Sequence, residues 1–331
     1  MAVLKDVAKI AGVSTATVSR VLNDAESVNP LTRAKVEKTI KELNFKPSRV
    51  AQRLRIRDGK KRIIGLVVPD IQNPFYVDVV RGVEELASLK DYAVFVGNFA
   101  QEEEKEKMYL NLMKSESVDG LIVAPSNEKD DEVMKLVKEG LPIVCVDRGL
   151  SEMDVDVVLV DNMKGAFDAV EFLIQSGYKR IAYIGGLPQI PTTIHRQNGY
   201  EDALKKYGIP IDSELIRFGD SKHESGKIIT EELLNLQNRP TALFTGNNLI
   251  TLGALETIHN RKLKIPQDIA IIGFDDMYWS ISLNPPLTAV RQPGYEIGKR
   301  AAEILFQKVK EPDRKPVKLI LRTELIKRES C

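Results

Sequence analysis

Hydrophobic and polar positions change their period along the chain. From residue 62 onward, short apolar runs such as IIGLVV, YAVFVG, GLIVA and PIVCV alternate with amphipathic stretches such as VVRGVEELASL and EKEKMYLNLMKS. The same alternation restarts after Asp161 and continues through RIAYIGG, TALFTG and IAIIGFD. Strands that alternate with helices predict parallel sheets with helical crossovers. Two successive runs predict two doubly wound subdomains, with a ligand crevice at the carboxyl ends of their strands.

The first 60 residues follow a helical period only. A short helix with apolar Val7 and Ala11 is followed by Gly12, where a left-handed turn costs least. Ser14 is a good N-cap for a second helix, TATVSRVLN, and a third helix follows Asn29-Pro30. Helix, glycine turn and short polar-faced helix form the plan of a helix-turn-helix, whose second helix enters the major groove of DNA.

The outward face of the second helix predicts base recognition. Thr15, Ala16 and Arg20 are the side chains expected to reach base edges, with Arg20 forking onto a guanine or, alternatively, only touching phosphate. The predicted DNA-binding set adds neighbours on this helix and in the basic segment after the third helix: Ser14, Thr17, Ser19, Asn23, Arg49 and Arg53.

Charge separates the two parts of the chain. Residues 1–62 hold 15 Lys and Arg against 6 Asp and Glu, a net +9, whereas the remaining 269 residues hold 33 against 41, a net −8. A basic head on an acidic body indicates a nucleic-acid-binding module attached to another function. The helix-turn-helix pattern favours this interpretation over a merely solvated basic face.

Polar side chains follow the predicted strands of the body. Sugars present hydroxyls that both donate and accept, and C–H faces that favour aromatic rings, so carboxylates, guanidinium groups, amides and one or two aromatics suit them. The chain places such groups just after strands or at helix starts. The predicted ligand-binding residues are Asn73, Phe75, Tyr76, Asp147, Arg148, Arg196, Asn247, Asp275, Trp279 and Gln292.

The string LKDVAKIAGVSTATVSRVLN resembles the helix-turn-helix of the lactose-repressor/galactose-repressor (LacI/GalR) family almost residue for residue. The resemblance continues through FKPSRVAQRLRIRDGKKR, which in this family is a hinge helix that folds on DNA and inserts a leucine, here Leu54, into the minor groove. Without the family this segment is an ordinary basic linker. Its charge and few apolar residues fit a helix that needs DNA to form.

The body is similar to periplasmic sugar-binding proteins, the ribose-binding protein most closely. The resemblance implies two subdomains with three chain crossings near Asp161, Gln292 and Leu319. Apart from Trp279, the predicted ligand-binding residues match those of the ribose-binding protein position for position. The expected fold is an all-α helix-turn-helix head plus an α/β body of two doubly wound parallel-sheet subdomains, periplasmic-binding-protein-like. The expected domains are a helix-turn-helix at 1–47, a hinge at 48–60 and a sensing and dimerisation domain at 61–331, split into 61–161 with 292–319 and 162–291 with 320–331.

Three departures from the family pattern bear on the ligand. Ser221 stands where a pocket aromatic is expected, and the usual Asn-Asp pair is Asn247-Asn248. Trp279, the only tryptophan, is expected to offer a stacking face from another direction. Each polar residue alone is also compatible with a salt link between subdomains or a helix cap.

Other functional classes find little support in the sequence. The three histidines are too far apart for metal-ligand spacing, and no nucleophile elbow or dinucleotide fingerprint occurs, so no enzyme, metal or cofactor is expected. Apolar runs are too short for a membrane span, and Lys5, Asp6 and Lys9 interrupt any secretory signal. Cys145 reads as a buried strand thiol, and no disulfide framework is expected.

These features together predict a cytoplasmic homodimeric repressor that binds double-stranded operator DNA and responds allosterically to a monosaccharide, a pentose before a hexose. Two rival interpretations stay open. A transport binding protein would share the body, although the basic head argues against it. A regulator of the same fold could instead answer to a purine, a sugar acid or a protein corepressor.

Overall fold

The computed structural model describes residues 4–23, 28–43 and 62–331. The chain divides into two compact units, residues 1–61 and 62–331. In the first unit the helices are α1 (Leu4–Ala11), α2 (Thr15–Asn23) and α3 (Pro30–Glu42). Their apolar faces form one small core, in which the buried side chains are Val7, Ala8, Ala11, Val18, Val21 and Val36.

The second unit contains two six-stranded sheets, one in each subdomain. The strands are β1 (Ile63–Val68), β2 (Ala93–Asn98), β3 (Gly120–Val123), β4 (Ile143–Val146), β5 (Asp156–Val160), β6 (Ile181–Gly185), β7 (Ile216–Phe218), β8 (Ala242–Thr245), β9 (Ala270–Phe274), β10 (Thr288–Arg291), β11 (Lys318–Leu321) and β12 (Glu324–Ile326). Their helices are α4 (Pro74–Ser88), α5 (Glu103–Ser115), α6 (Asp131–Lys138), α7 (Asn162–Gln175), α8 (Pro191–Lys206), α9 (His223–Leu234), α10 (Asn248–Asn260) and α11 (Gly294–Lys310).

Strand order is the same in both subdomains. The N-subdomain sheet runs β11-β5-β4-β3-β1-β2 and is parallel throughout, and the C-subdomain sheet runs β12-β10-β9-β8-β6-β7. In both sheets the order reverses beside the first strand, between β1 and β3 and between β6 and β8. Ligands of doubly wound folds bind at such switch points, beyond the carboxyl ends of the strands.

Two details differ from the sequence expectation. The strand β12 pairs with β10 in the antiparallel sense, so the C-subdomain sheet is parallel except at this edge. The strand β11 pairs with β5 through Leu321, so the third crossing lies at Arg322 and Thr323 and not near Leu319. Both details depend on strand pairing, which local sequence patterns do not encode.

Helices cover both faces of each sheet. In the N-subdomain, α4 and α11 close one core and α5 and α6 the other. The α4–α11 contact is unusually close, because a Cβ at Gly298 would lie 2.0 Å from the carbonyl oxygen of Val79. In the C-subdomain, α9 and α10 cover one face and α7 and α8 the other. This double cover leaves the loops at the carboxyl ends of the strands free to build a site.

No helix among the described residues is both long and apolar enough to cross a membrane.

Candidate functional site

The turn between α1 and α2 is built by local hydrogen bonds. Gly12 has a φ of +63°, and the Val13 amide donates to the Ala8 carbonyl at 3.0 Å. The Ser14 hydroxyl caps α2 by accepting from the Thr17 amide at 3.1 Å. These contacts fix the direction of α2 relative to α1, as the helix-turn-helix prediction requires.

The structure places most of the predicted DNA-binding residues on one surface of α2. Ser14, Thr15, Ala16 and Arg20 are exposed, whereas Thr17 and Ser19 are half-buried. On the opposite side Val18 and Val21 are buried against α1 and α3. Asn23 ends the helix, and Arg49, Arg53 and Leu54 lie outside the described residues.

The second candidate site is a cleft between the two subdomains of the body. It encloses a cavity of about 50 Å³ at the carboxyl ends of the strands. The cavity is lined by nine of the ten predicted ligand residues: Asn73, Phe75, Tyr76, Asp147, Arg148, Arg196, Asn247, Asp275 and Gln292. Trp279 is not among the lining residues, so the structure gives it no role as a stacking face in this cavity.

The N-subdomain wall is a buried cluster of aromatic and charged groups. Asn73 caps α4 by accepting from the Phe75 amide at 2.9 Å, which places Phe75 and Tyr76 in the first turn facing the cleft. The Tyr76 hydroxyl donates to Asp147 at 2.9 Å. Burial, and then the charge of Asp147, raise the pKa of Tyr76 well above its ordinary value, so Tyr76 stays a neutral donor.

Arg148 is held mainly by the loop after β3. Its Nη1 donates to the carbonyls of Pro125 and Ser126, at 3.1 and 3.3 Å, and its Nε lies 3.4 Å from the Asp147 carboxylate. Burial lowers the pKa of Arg148, but Tyr76 and Asp147 outweigh burial and raise it overall. The guanidinium is therefore a fixed cation in the cavity wall.

The C-subdomain wall holds the second arginine. Arg196, in the second turn of α8, donates from Nε to Asn162 at 2.8 Å and from Nη1 to the Gly246 carbonyl at 2.5 Å. Its guanidinium carbon lies 3.8 Å from the centre of the Phe274 ring, a stacked cation–π contact. Both arginines are thus positioned by protein groups before any ligand binds.

Asp275 follows β9 and lies beside Gln292, where the chain crosses between the subdomains for the second time. It accepts from Gln292 Nε2 at 2.5 Å and is 3.4 Å from Asn248 Nδ2. Burial raises the pKa of Asp275, while Arg196 opposes the rise. The Oε1 atom of Gln292 is buried and has no hydrogen-bond partner in the described residues. This corner therefore offers acceptors to a bound group.

Three residues that line the cavity have a left-handed backbone conformation. Asp147, Ser221 and Asp275 follow β4, β7 and β9 with φ of +65°, +68° and +79°. Such values are uncommon for residues other than glycine and cluster at binding sites. The two aspartates are recognisable in the sequence by their position after apolar strands, but their backbone conformation carries no sequence signal apart from the tolerance of Asp for it.

The cavity includes polar residues that the sequence prediction left out. Thr192 and Thr193 lie in the first turn of α8 and are buried, and Ser221 lies beside them. Pro191 is a sequence signal for the start of α8, because proline favours the first turn of a helix. Since α8 follows a strand that ends at the cleft, this signal also indicates that the first turn of α8 lies there.

A larger groove of about 850 Å³ lies beside this cavity and shares Asp147 and Arg148 with it. Its other walls come from β5, β11 and the loop 149–155 in the N-subdomain and from the starts of α7 and α8 in the C-subdomain. The predicted polar set converges on the smaller cavity, which makes the smaller cavity the better candidate. In the described residues, no group of three or more His, Cys, Asp or Glu is arranged to hold a metal ion.

Two family models match the chain. Residues 3–48 match "Bacterial regulatory proteins, lacI family", and residues 61–329 match "Periplasmic binding proteins and sugar binding domain of LacI family".

Curated relatives match over nearly the whole chain. The repressor CytR of Escherichia coli (strain K12) is 36% identical over 93% of this chain and 90% of its own length. Catabolite control protein A of Priestia megaterium is 38% identical over 91% and 90%. The repressor PurR of Mannheimia succiniciproducens is 34% identical over 100% and 98%.

Solved structures of LacI-family regulators are also similar to this chain. The lac repressor dimer bound to operator and the anti-inducer ONPF superposes with a TM-score of 0.78 at 28% identity, covering 99% of this chain and 98% of that one. A CelR–cellobiose complex gives 0.74 at 32% over 100% of both chains. A ribose-bound regulator from Enterococcus faecium gives 0.73 at 29% over 81% and 98%. With a helix-turn-helix, two switch-point subdomains and these matches over its full length, the chain belongs to the LacI family of DNA-binding, ligand-regulated transcriptional repressors, which are not enzymes.

Proposed function

We propose that this protein represses transcription as a homodimer and that a neutral monosaccharide, a pentose before a hexose, binds between the subdomains and changes its operator affinity. The observation that carries the ligand assignment is the pairing of carboxylates with arginines around one small cavity. Asp147 and Asp275 supply acceptors, and Arg148 and Arg196 supply donors. A sugar hydroxyl donates once and accepts up to twice, so it can join one carboxylate to one guanidinium.

The balance of charge favours a neutral ligand. Three buried carboxylates, Asp70, Asp147 and Asp275, outnumber the two guanidinium groups of the cavity wall, so the wall carries no excess of positive charge. A phosphate or carboxylate effector would satisfy Arg148 and Arg196 but would be repelled by Asp147 and Asp275, since like charges in a buried site cost free energy.

The distribution of aromatic rings favours a sugar over a purine. Phe75 and Tyr76 pack edge to face, with centroids 5.0 Å apart, and both belong to the N-subdomain wall. The C-subdomain side of the cavity presents Thr192, Thr193 and Ser221. A planar base gains most from rings on both faces, whereas a sugar has one C–H face and many hydroxyls. The saccharides in two similar solved structures, ribose and cellobiose, also support a saccharide.

Exposed apolar side chains support the homodimer. Phe95 and Val96 on the edge strand β2 are exposed, as are Met108 and Leu112 on the following helix α5. Several exposed apolar side chains on two neighbouring elements are often part of an interface. The similarity to the lac repressor dimer points the same way.

The test is calorimetric titration of the full-length protein after a thermal-shift screen of pentoses, hexoses, sugar acids, sugar phosphates and purines. For a neutral sugar, Asp275→Ala and Arg196→Ala should each weaken binding of the best ligand by about 1.5–3 kcal/mol, because each leaves charged partners unpaired in a closed cleft. Asp202→Ala is the matched control, since Asp202 lies on the same helix as Arg196 with 41% of its side chain exposed.

Two outcomes contradict the assignment. A large loss for Arg196→Ala with a small loss or a gain for Asp275→Ala would indicate an anionic effector. Equal affinities for wild type and both variants would place the effector outside this cleft, and a purine as the best ligand would replace the sugar.

A further inference from the structure

Two asparagines from opposite subdomains meet beside the cavity. Asn73 lies between β1 and α4 in the N-subdomain, and Asn248 is the first residue of α10 in the C-subdomain. The Nδ2 of Asn248 donates to the Oδ1 of Asn73 at 2.7 Å. Within residues 62–331, and away from the three crossings, this is the only side-chain hydrogen bond that joins the two subdomains. We call the Asn73–Asn248 hydrogen bond the clasp.

The orientation of the Asn248 amide is set mainly by two oxygen acceptors around its Nδ2, with the sulfur of Met277 as a third, weaker acceptor at 3.7 Å. The Oδ1 of Asn73 already accepts from the Phe75 amide as the cap of α4, so it can only act as an acceptor toward Asn248. The second neighbour is the Asp275 carboxylate, at 3.4 Å. Two acceptors on one side require a donor between them, and a side-chain amide supplies two N–H groups.

The position of Asn248 makes this requirement strict. Its side chain is buried, with the residue only 1% exposed, and its Oδ1 has no hydrogen-bond partner in the described part of the chain. A carboxylate here would lie buried against the Asn73 oxygen and the charged Asp275, without a donor from either. Breaking a buried polar contact in this way costs the full desolvation of the group left unpaired.

The clasp shares an acceptor with the ligand site. Asp275 lines the cavity and accepts from both Gln292 and Asn248. A ligand hydroxyl that binds Asp275 would therefore order the carboxylate that also orients Asn248, and Asn248 in turn contacts the opposite subdomain. This chain of contacts connects ligand binding to closure of the cleft.

We propose that Asn248 is a positioning residue that holds the two subdomains closed through the clasp, and that an amide at this position sets the fraction of closed protein. The proposal rests on the proposed function only in taking this cleft as the effector site. Its primary test needs no effector.

Closure is measured on the full-length, ligand-free dimer by energy transfer between two dyes in one protomer, mixed with excess unlabelled protein. Asp131→Cys and Glu224→Cys place the dyes at exposed positions near the starts of α6 and α9, which follow strands that end at the cleft. Cys331→Ser removes the accessible native thiol, while Cys145 is buried.

Asn248→Asp should lower the ratio of closed to open protein about tenfold or more, because it places a second buried carboxylate beside Asp275. Asn248→Ala should lower it by a smaller factor, roughly threefold, since it removes only the hydrogen bond. Both variants should fold, because Asn247 remains the N-cap of α10 and an acidic first residue suits the helix dipole. Circular dichroism and thermal unfolding check this.

The matched control is Asn260→Asp, which makes the same charge change at the exposed far end of the same helix. It should leave the closed fraction at the wild-type value. A closed fraction that is the same in Asn248→Asp and wild type, including a wild type already fully open, would overturn the proposal.

D-ribose as a probe separates this proposal from the proposed function. If Asn248→Asp lowers the closed fraction while D-ribose and every other sugar fail to bind wild type, the clasp stands and the monosaccharide assignment falls. If D-ribose binds wild type and Asn248→Asp with the same affinity and the same closure, the clasp falls and the monosaccharide assignment stands.

Discussion

Glu106 is a buried carboxyl group outside the ligand cavity. It accepts from the Ser126 amide at 3.1 Å, and Ser126 also supplies one of the carbonyls that hold Arg148. Burial, and then the neighbouring Asp130, raise the pKa of Glu106 from 4.5 to about 8. The other charged side chains around this pocket include Glu103, Glu104, Lys107, Lys129, Asp131 and Glu132.

The raised pKa predicts that stability falls as the pH rises from about 4.5 to about 8. In that window the unfolded chain releases the proton and the folded chain keeps it, so rising pH favours unfolding. Glu106→Gln keeps an acceptor for Ser126 and removes the titration. From pH 6 to pH 9 its free energy of unfolding should gain about 1–3 kcal/mol relative to wild type, measured by denaturant titration. Glu103→Gln, exposed on the first turn of the same helix, should show no such gain. If the free energies of unfolding of Glu106→Gln and wild type changed with pH in the same way, the pKa of Glu106 would not be raised.

At the scale of elements, helix N-termini and strand ends build both sites. The cavity wall is supplied by first turns of α4 and α8 and by the cap of α10, each following a strand at a switch point. The predicted recognition surface is likewise the first half of α2, held by its Ser14 cap. A capped N-terminus suits both roles because it fixes side chains near the end of a rigid element.

The segment 48–60 lies outside the described residues, so its role is a prediction from the sequence. We expect it to form a hinge helix on operator DNA, with Leu54 as a minor-groove wedge. Leu54→Ala should weaken operator binding by about 1–3 kcal/mol and reduce DNA bending, because the wedge that kinks the duplex is lost. Binding of the best screened ligand to the sensor body should not change. Operator binding and bending equal to wild type would show that this segment is only a linker.

At the scale of the molecule, the charge asymmetry predicts strongly salt-dependent DNA binding. The +9 of residues 1–62 releases counterions from DNA, so log K should fall linearly with log salt concentration. Two recognition helices in a dimer predict half-sites about one helical turn apart. Titrations at several salt concentrations on near-palindromic duplexes selected from random sequence measure both. A flat salt response, or monomers that bind as tightly as dimers, would contradict the proposal.

A pair of charge-removing variants separates specific recognition from overall charge. Arg20→Ala should weaken binding to the selected duplex by about 1–3 kcal/mol and relax the preference at one base position. Lys310→Ala removes the same charge from an exposed position at the end of α11 and should have little effect. If Arg20→Ala weakens binding equally on all sequences, Arg20 contacts only phosphate.

The sequence by itself determined the features that depend on neighbouring residues. The helix-turn-helix occupies one short string, in which Gly12, Ser14 and Val18 each act on residues within a few positions. The alternation of strands and helices, and the placing of Asp147 and Asp275 after apolar strands, are local in the same way. Short-range periodicity and capping set such features, so a single chain displays them.

Only the tertiary structure decided which distant residues meet. Asn73 and Asn248 are 175 positions apart, and nothing in either local sequence indicates their hydrogen bond. Trp279 has the chemistry of a sugar-stacking ring, yet it does not line the cavity that Thr192 and Ser221 help to build. The position of the third crossing and the antiparallel β12 likewise depend on which strands pair. Residue types fix what each side chain is able to bind, but strand order and subdomain closure determine which of them face one another.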